Sequence, residues 1–217
     1  MNSKKLKIEE LLIIQPGLTY HDGIIEGEIE INLHHYGYYV NNNYNIKIII
    51  DYESPFSSEV YETKGAVRKD YKHKYKDGML CLSTPIDLKL AEAKDCSLVT
   101  FFNDFIEPYF FSYDYFERYG YYPFDDRCHG SVGILDSYCD ITGIKDYEKL
   151  IKLIMNVSLG KYSYRGHLNC PCGSNKKTRN CHPNILNLFQ NKNIVEQVSK
   201  DYHFILRELN EYKKKAK

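Results

Sequence analysis

The chain has 217 residues, of which 43% are apolar and 27% are charged, and these ordinary shares exclude a wholly disordered protein. The 29 basic residues equal the 29 acidic residues in number, which argues against binding of nucleic acid through bulk positive charge. No apolar run approaches the roughly 18 residues needed to cross a bilayer, and the first residues lack a signal-peptide core. We therefore expect a soluble, cytoplasmic protein.

The first elements are predicted to be a helix and antiparallel strands. Residues 4–14 form a short amphipathic pattern that stops at Pro16. Apolar and polar residues alternate in 28–33 and again in 44–50, which indicates two half-buried strands. The asparagine run 41–43 between them predicts a hairpin turn.

The remaining elements are predicted to be mainly helical. They follow in this order: one or two strands at 59–63 and 66–68, an ordered loop at 73–88, a helix from Leu98 with Asp95 or Ser97 as its cap and an interruption at Pro108, an irregular stretch at 121–139, and helices at 147–160 and 194–212. This order predicts an α+β fold, with one domain at 1–143 and a helical segment with a cysteine-rich knuckle at 144–217.

Three of the seven cysteines cluster within twelve residues and end beside a histidine. An odd cysteine number without an export signal argues against a disulfide framework. Zinc binds four thiolate or imidazole ligands in a tetrahedron, and the three cysteines and the histidine of the cluster supply four such ligands. The predicted zinc ligands are Cys170, Cys172, Cys181 and His182.

The segment 165–183 resembles the SEC-C zinc-binding motif. The motif's usual run is Cys-Pro-Cys-Gly-Ser-Gly-Lys-Lys, followed by Cys-Cys or Cys-His, and this chain fills all four ligand positions. Asn175 stands where the family has glycine, and asparagine also tolerates the left-handed conformation. The resemblance implies a structural Zn²⁺ and a knuckle that contacts a partner.

Cys81 lies alone in the predicted loop, between two leucines. A cysteine in such surroundings is more often a small buried apolar residue than a nucleophile. The surrounding order of elements changes this interpretation, because it resembles the ubiquitin-conjugating (UBC) fold over residues 1–140. In that fold a helix and an antiparallel β-meander flanked by helices precede a long loop, and the loop carries the catalytic cysteine.

Four stretches carry the UBC resemblance. Residues 78–82, Gly-Met-Leu-Cys-Leu, match the family's cysteine segment, and His73 lies near the expected histidine. Residues 52–56 resemble the turn after the strands, and 129–133 resemble a stretch in bacterial UBC-like proteins of antiviral operons. The family's His-Pro-Asn asparagine is missing, since Lys74 follows His73.

The resemblance implies a transferase that works through a cysteine thioester. Cys81 would accept an acyl group from the C-terminal tail of a ubiquitin-like protein or another donor, and an amine would then take it. His73 would support the loop, and His129 would act as a proton shuttle or fix a loop. The implied partners include an activating enzyme or a nucleotidyltransferase, and the implied setting is an antiphage operon.

Two other functions stay open on the sequence. The first is a non-catalytic adaptor that binds a protein through its UBC-like surface and zinc knuckle. The second is nucleic-acid contact through Lys176, Lys177, Arg179 and Arg165, against which the neutral overall charge counts. Cys96, Cys128 and Cys139 are interpreted as structural or incidental, with a second metal site at Cys128, His129 and Cys139 as a minor alternative.

Overall fold

A computed structural model describes residues 6–35, 37–124, 128–161, 165–189 and 191–215. The chain divides into two compact units. The first comprises Met1–Ser83 and Ala91–Asp126, and the second comprises Thr84–Leu90 and Arg127–Lys217. The sequence-based boundary after residue 143 differs from this division at 84–90 and at 127–143.

The chain is mixed α and β. Its strands are β1 (Leu18–His21), β2 (Ile24–His35), β3 (Tyr38–Ile49) and β4 (Glu59–Glu62). Its α-helices are α1 (Ile8–Ile14), α2 (Pro85–Lys94), α3 (Leu98–Phe101), α4 (Glu107–Tyr119), α5 (Gly130–Thr142), α6 (Tyr147–Ser158), α7 (Thr178–Cys181), α8 (Asn184–Leu188) and α9 (Lys192–Lys215).

The four strands form one antiparallel sheet in the order β1-β2-β3-β4. Alternate residues of β2 and β3 point to one face, and the isoleucines on this face are buried in the core. The buried set includes Ile25, Ile29, Ile31, Ile46 and Ile48. The predicted strands are thus present, although both are longer than the alternation indicated.

The predicted hairpin turn at 41–43 is wrong. These asparagines lie inside β3, where Asn41 pairs with Asn32 and Asn43 with Glu30. The turn falls between His35 and Tyr38 instead, and Gly37 there has a φ of +73°, which glycine adopts without steric cost. The asparagines are tolerated in the strand because all three are solvent-exposed.

Aromatic residues cover the buried face of the sheet. The ring of Tyr44 stacks on that of Phe110 with centroids 4.2 Å apart, and Phe56 packs against Phe101 at 5.0 Å. Phe102 and Phe111 are also almost completely buried. Each such side chain stabilises the fold by roughly 1.5–3 kcal/mol through removal of apolar surface from water.

The helix after Leu98 does not stop at Pro108. The chain continues from α3 through a π-helical turn, Phe102–Ile106, into α4. The wider turn accommodates a proline, which cannot donate a backbone hydrogen bond, near the start of α4. Ser97 is the cap, since its hydroxyl accepts a hydrogen bond from the backbone N–H of Thr100 at 3.1 Å.

The second unit is helical. Its core joins α5, α6 and α9, with Tyr138, Leu150, Ile154, Val198 and Ile205 completely buried. The stretch 121–139 was predicted to be irregular, yet most of its second half forms α5. The helix forms despite Gly130, Ser131 and Gly133 because its apolar residues bury themselves in this core. No helix in the described part of the chain is long and apolar enough to cross a membrane.

Candidate functional site

The cysteine cluster belongs to a tight backbone turn in the second unit. Asn169 and Lys177 form an antiparallel bridge, and the N–H of Cys170 donates to the carbonyl of Lys176 at 2.8 Å. Within the turn, Gly173 has a φ of +81° and Asn175 a φ of +59°. Asn175 therefore takes the left-handed conformation, which asparagine tolerates better than most residues.

The turn and helix α7 bring the four predicted ligands together. One ligand atom from each residue lies within 4.8 Å of all the others, a spacing that could hold a single metal ion. Cys170 Sγ lies 3.2 Å from His182 Nδ1, and Cys172 Sγ lies 3.6 Å from Cys181 Sγ.

A backbone carbonyl orients the histidine of the cluster. His182 Nε2 lies 3.1 Å from the carbonyl oxygen of Gly143, which can only accept a hydrogen bond. A proton is therefore placed on Nε2, and Nδ1, which faces Cys170, is the nitrogen available to a metal. Metal-binding histidines commonly have such a carbonyl partner on the second ring nitrogen.

Burial and hydrogen bonds shift the pKa values of two cysteines of the cluster in opposite directions. Burial raises the pKa of Cys170, which is 4% exposed and packs in the helical core. Burial also acts to raise the pKa of Cys172, but hydrogen bonds from Ser174 and the neighbouring cysteines outweigh it and lower this pKa to about 6. Cys172 is thus a thiolate near neutral pH, and thiolates are the form that binds a metal.

Cys81 lies at the end of a short hairpin in the first unit. The N–H of Cys81 donates to the carbonyl of His73, and the N–H of Tyr75 donates to the carbonyl of Met79, both at 2.8 Å. The hairpin docks on the edge of the sheet, because the N–H of Leu80 donates to the carbonyl of Val60 at 2.8 Å. The first part of the predicted loop, 73–81, is therefore an extension of the β4 edge, and the loop prediction is wrong at 85–88, which belong to helix α2.

The thiol of Cys81 is partly buried. Burial raises its pKa, while a hydrogen bond from the Tyr75 side chain acts in the opposite direction. The nearby Tyr109 hydroxyl donates to the His73 carbonyl at 3.1 Å and so supports the same hairpin. The Cys81 sulfur is consequently a protonated thiol near neutral pH, held at a fixed place by the hairpin backbone.

The two predicted histidines lie in different units. The imidazole of His73 packs edge-on to the rings of Tyr71 and Tyr122, with centroid distances of 5.7 and 5.2 Å. These contacts suit the predicted loop-supporting role. His129 belongs to the second unit, where it precedes α5. Its role as a proton shuttle stays a prediction.

The other three cysteines form no comparable group. Cys96 and Cys139 are partly buried and Cys128 is exposed. Within the described residues, Cys128, His129 and Cys139 do not come together in a group with the dimensions of a metal site.

Sequence reasoning missed a buried polar group in the second unit. The Tyr138 hydroxyl donates to Asp201 at 2.9 Å, and the amide of Gln197 donates to the other carboxylate oxygen at 2.8 Å. Burial raises the pKa of Asp201 to about 6. The available signal was the position of Asp201, three residues after Val198 and four before Ile205, inside the apolar stripe of α9.

Comparison of the chain with protein-family models, with curated proteins and with solved structures finds no match. The functional argument therefore rests on the two cysteine sites themselves.

Proposed function

We propose that this chain is a ubiquitin-conjugating-like acyl carrier and transferase, with Cys81 as the residue that forms the thioester. The observation that carries the proposal is the placement of a single cysteine on a hairpin that extends an antiparallel four-strand meander. A helix precedes the meander and helices follow the hairpin. This is the order of elements in which the UBC family carries its catalytic cysteine.

The proposed reaction has two steps. The Cys81 sulfur attacks the carbonyl carbon of a donor thioester, a new carbon–sulfur bond forms, and the donor's sulfur leaves with the thiol proton. An amine nitrogen then attacks the same carbonyl carbon, the bond to Cys81 breaks, and the sulfur takes up a proton as the amide forms. The burial-raised pKa of Cys81 fits this chemistry, because the donor is already activated and no strongly acidic thiol is required.

The donor in this proposal is the C-terminal tail of a ubiquitin-like protein or a related tail. An activating enzyme would load the donor, and a nucleotidyltransferase is a further candidate partner. A bacterial antiphage operon is the proposed genetic setting. These partners follow from the UBC resemblance of residues 78–82 and of the surrounding elements.

We also propose that the four-ligand cluster holds a structural Zn²⁺. Zinc bonds of about 2.0 Å to nitrogen and 2.3 Å to sulfur place tetrahedral ligand atoms about 3.5 to 3.8 Å apart. The Cys170–His182 and Cys172–Cys181 separations, 3.2 and 3.6 Å, lie within a few tenths of an ångström of these values. Four protein ligands leave no position for water or substrate, so the ion stabilises the fold and takes no part in the transfer.

The transferase proposal is tested by trapping the thioester. Tagged wild type, Cys81→Ala and the matched control Cys96→Ala are expressed with the neighbouring genes, and intact masses are measured before and after addition of thiol. The expected result is a thiol-sensitive adduct in wild type and in Cys96→Ala that Cys81→Ala lacks. The adduct mass identifies the donor.

A protein-binding adaptor is the second candidate, and the partial burial of the Cys81 thiol is the observation that favours it. An adaptor would show no adduct in any of the three proteins while each remains folded. That result would overturn the transferase proposal and leave Cys81 as a packing residue.

A further inference from the structure

Positive charge is concentrated around the cysteine cluster. Residues 143–183 contain eight lysines and arginines but only two acidic residues, although the chain as a whole is balanced. The basic residues are Lys145, Lys149, Lys152, Lys161, Arg165, Lys176, Lys177 and Arg179, and all eight are exposed. The rest of the chain consequently carries an excess of negative charge.

Close approaches at two glycines bring several of these residues to one part of the surface of the second unit. The Lys149 side chain of helix α6 lies beside the cysteine turn. Its ammonium nitrogen is 3.5 Å from the position that a Cβ on Gly173 would occupy. On the other side, a Cβ on Gly166, the neighbour of Arg165, would lie 3.2 Å from the Cβ of Arg179. We call the surface formed by Lys145, Lys149, Arg165, Lys176, Lys177 and Arg179 the basic rim.

The charges of the basic rim are largely uncompensated. Among the described residues, Lys149 is the one member of the rim with an ion pair, formed with Asp146 at 3.4 Å. Lys177 donates to the neutral Asn169 side chain at 3.1 Å. Cationic side chains that gather on one face without acidic partners attract a polyanion and gain affinity by releasing its counterions.

The surroundings of the rim distinguish between classes of polyanion. A protein partner requires apolar or aromatic anchors at the centre of its interface. Within the knuckle, residues 165–183, the large apolar side chain that is exposed is Leu168, with an exposed fraction of 37%. Tyr147, between Lys145 and Lys149 on α6, is exposed at 39%, and the described exposed neighbours within the knuckle are otherwise polar, with His167, Asn169, Asn175 and Asn180 able to donate to phosphate or sugar oxygens.

We propose that the basic rim binds the phosphate backbone of a nucleic acid. The rim supplies point charges and guanidinium groups for phosphates, the knuckle fixes their spacing, and the neutral donors contact sugar oxygens. Binding of this kind depends on charge spacing and is weakly selective for sequence. It requires no acyl transfer, so Cys81→Ala binds as wild type does, and the inference stands independently of the proposed function.

The test measures the anisotropy of short fluorescent oligonucleotides, with separate RNA and DNA arms, as the purified full chain is added at several salt concentrations. The triple variant Lys176→Gln, Lys177→Gln and Arg179→Gln is compared with the triple variant Lys213→Gln, Lys214→Gln and Lys215→Gln. Both variants remove three positive charges, but only the first changes the rim.

The expected result is a loss of about tenfold or more in affinity for the rim variant and little change for the tail variant. The slope of log affinity against log salt should fall by about 2 to 3, which corresponds to three lost phosphate contacts. Bound metal is measured in each variant, and Lys145→Gln with Lys149→Gln repeats the comparison away from the ligand turn.

Three outcomes would overturn the inference. The first is no binding of either oligonucleotide at low salt by the folded, metal-loaded wild type. The second is an equal loss in the rim and tail variants, which would show attraction by general charge. The third is equally tight binding of poly-glutamate, which would indicate an acidic protein as the partner.

Discussion

The Tyr75 side chain influences the reactivity of Cys81 directly. It forms a hydrogen bond with the thiol, and this bond partly opposes the rise in pKa that burial causes. Tyr75 thus supplies a side-chain donor beside the sulfur.

We expect Tyr75→Phe to raise the pKa of Cys81 further, because the variant keeps the ring and loses only the hydroxyl. The rate of alkylation by iodoacetamide, measured against pH, should shift to higher pH and be slower near neutrality. Tyr61→Phe is the matched control, since the Tyr61 hydroxyl donates to Glu59 at 2.7 Å instead. Identical pH profiles for wild type and Tyr75→Phe would contradict this role.

Asp201 makes the stability of the protein depend on pH. Burial raises its pKa from 3.8 to about 6, so between these values the folded protein keeps a proton that the unfolded chain has released. The stabilising contribution is complete below pH 3.8 and is lost as the pH rises through 6, by on the order of 3 kcal/mol.

We expect Asp201→Asn to remove this slope, because the amide is neutral at every pH and its oxygen still accepts from Tyr138. Urea unfolding of wild type and variant across that pH range measures the effect. Glu211→Gln changes an exposed acid on the same helix and should leave the slope in place. A slope that persists in Asp201→Asn would assign it to another group.

The Cys81 hairpin depends on a glycine turn. Gly78 has a φ of +93°, a conformation that costs an L-residue roughly 1–2 kcal/mol, and a Cβ there would meet nothing closer than 3.9 Å. Gly78→Ala should therefore destabilise the hairpin through its backbone alone and speed hydrogen exchange at the Tyr75 and Cys81 amides. Gly65→Ala has the same kind of penalty at φ +81° and should leave those two amides protected. Equal protection in both variants would show that the turn does not hold Cys81.

The elements that sequence predicted well are those with a clear apolar period. The alternation of Ile46 and Ile48 follows directly from burial of one sheet face, and the stripe of α9 follows from its packing on α5 and α6. The errors have a common physical origin in tertiary context. The asparagines of β3 have a turn preference that strand pairing overrides. Gly133 is untypical of a helix, but it is accommodated in α5 because it allows close approach of the Cys128 carbonyl.

The candidate metal site was predictable almost completely, and the Cys81 site only in part. Local spacing alone brings together ligands that lie within thirteen residues, so the sequence contains the necessary information. The surroundings of Cys81 come from distant positions instead, such as Tyr109 on α4 and Val60 on β4. The spacing of apolar residues along the sequence does not predict such contacts between distant positions.

At the scale of the whole molecule, each unit has its own buried core, and the candidate metal belongs to the second one. The thiol of Cys170 is part of that core, so metal binding and folding are coupled there. The neutral net charge conceals a basic segment at 143–183 and an acidic remainder, which is why bulk charge was a poor guide to the surface.

We expect removal of the metal by a chelator, or Cys181→Ser, to speed hydrogen exchange through 165–189 and to lower the unfolding temperature of the second unit. Exchange within β2 and β3 should change little, because the sheet has a separate core. Cys96→Ser is the matched control for loss of one thiol. Unchanged protection of the knuckle after verified metal loss would contradict a structural role.

The hydrogen bond between Gly143 and His182 joins residues 39 positions apart, and this separation sets an order of assembly during translation. The corner between α5 and α6 leaves the ribosome well before the histidine that completes it, and α9 follows later still. The growing second unit therefore passes through a stage in which its first two helices are made but neither the metal ligands nor the covering helix has arrived. Metal capture once His182 has emerged would fix the corner before α9 packs, and a shortage of metal during synthesis would prolong the exposure of its apolar surface to chaperones and proteases.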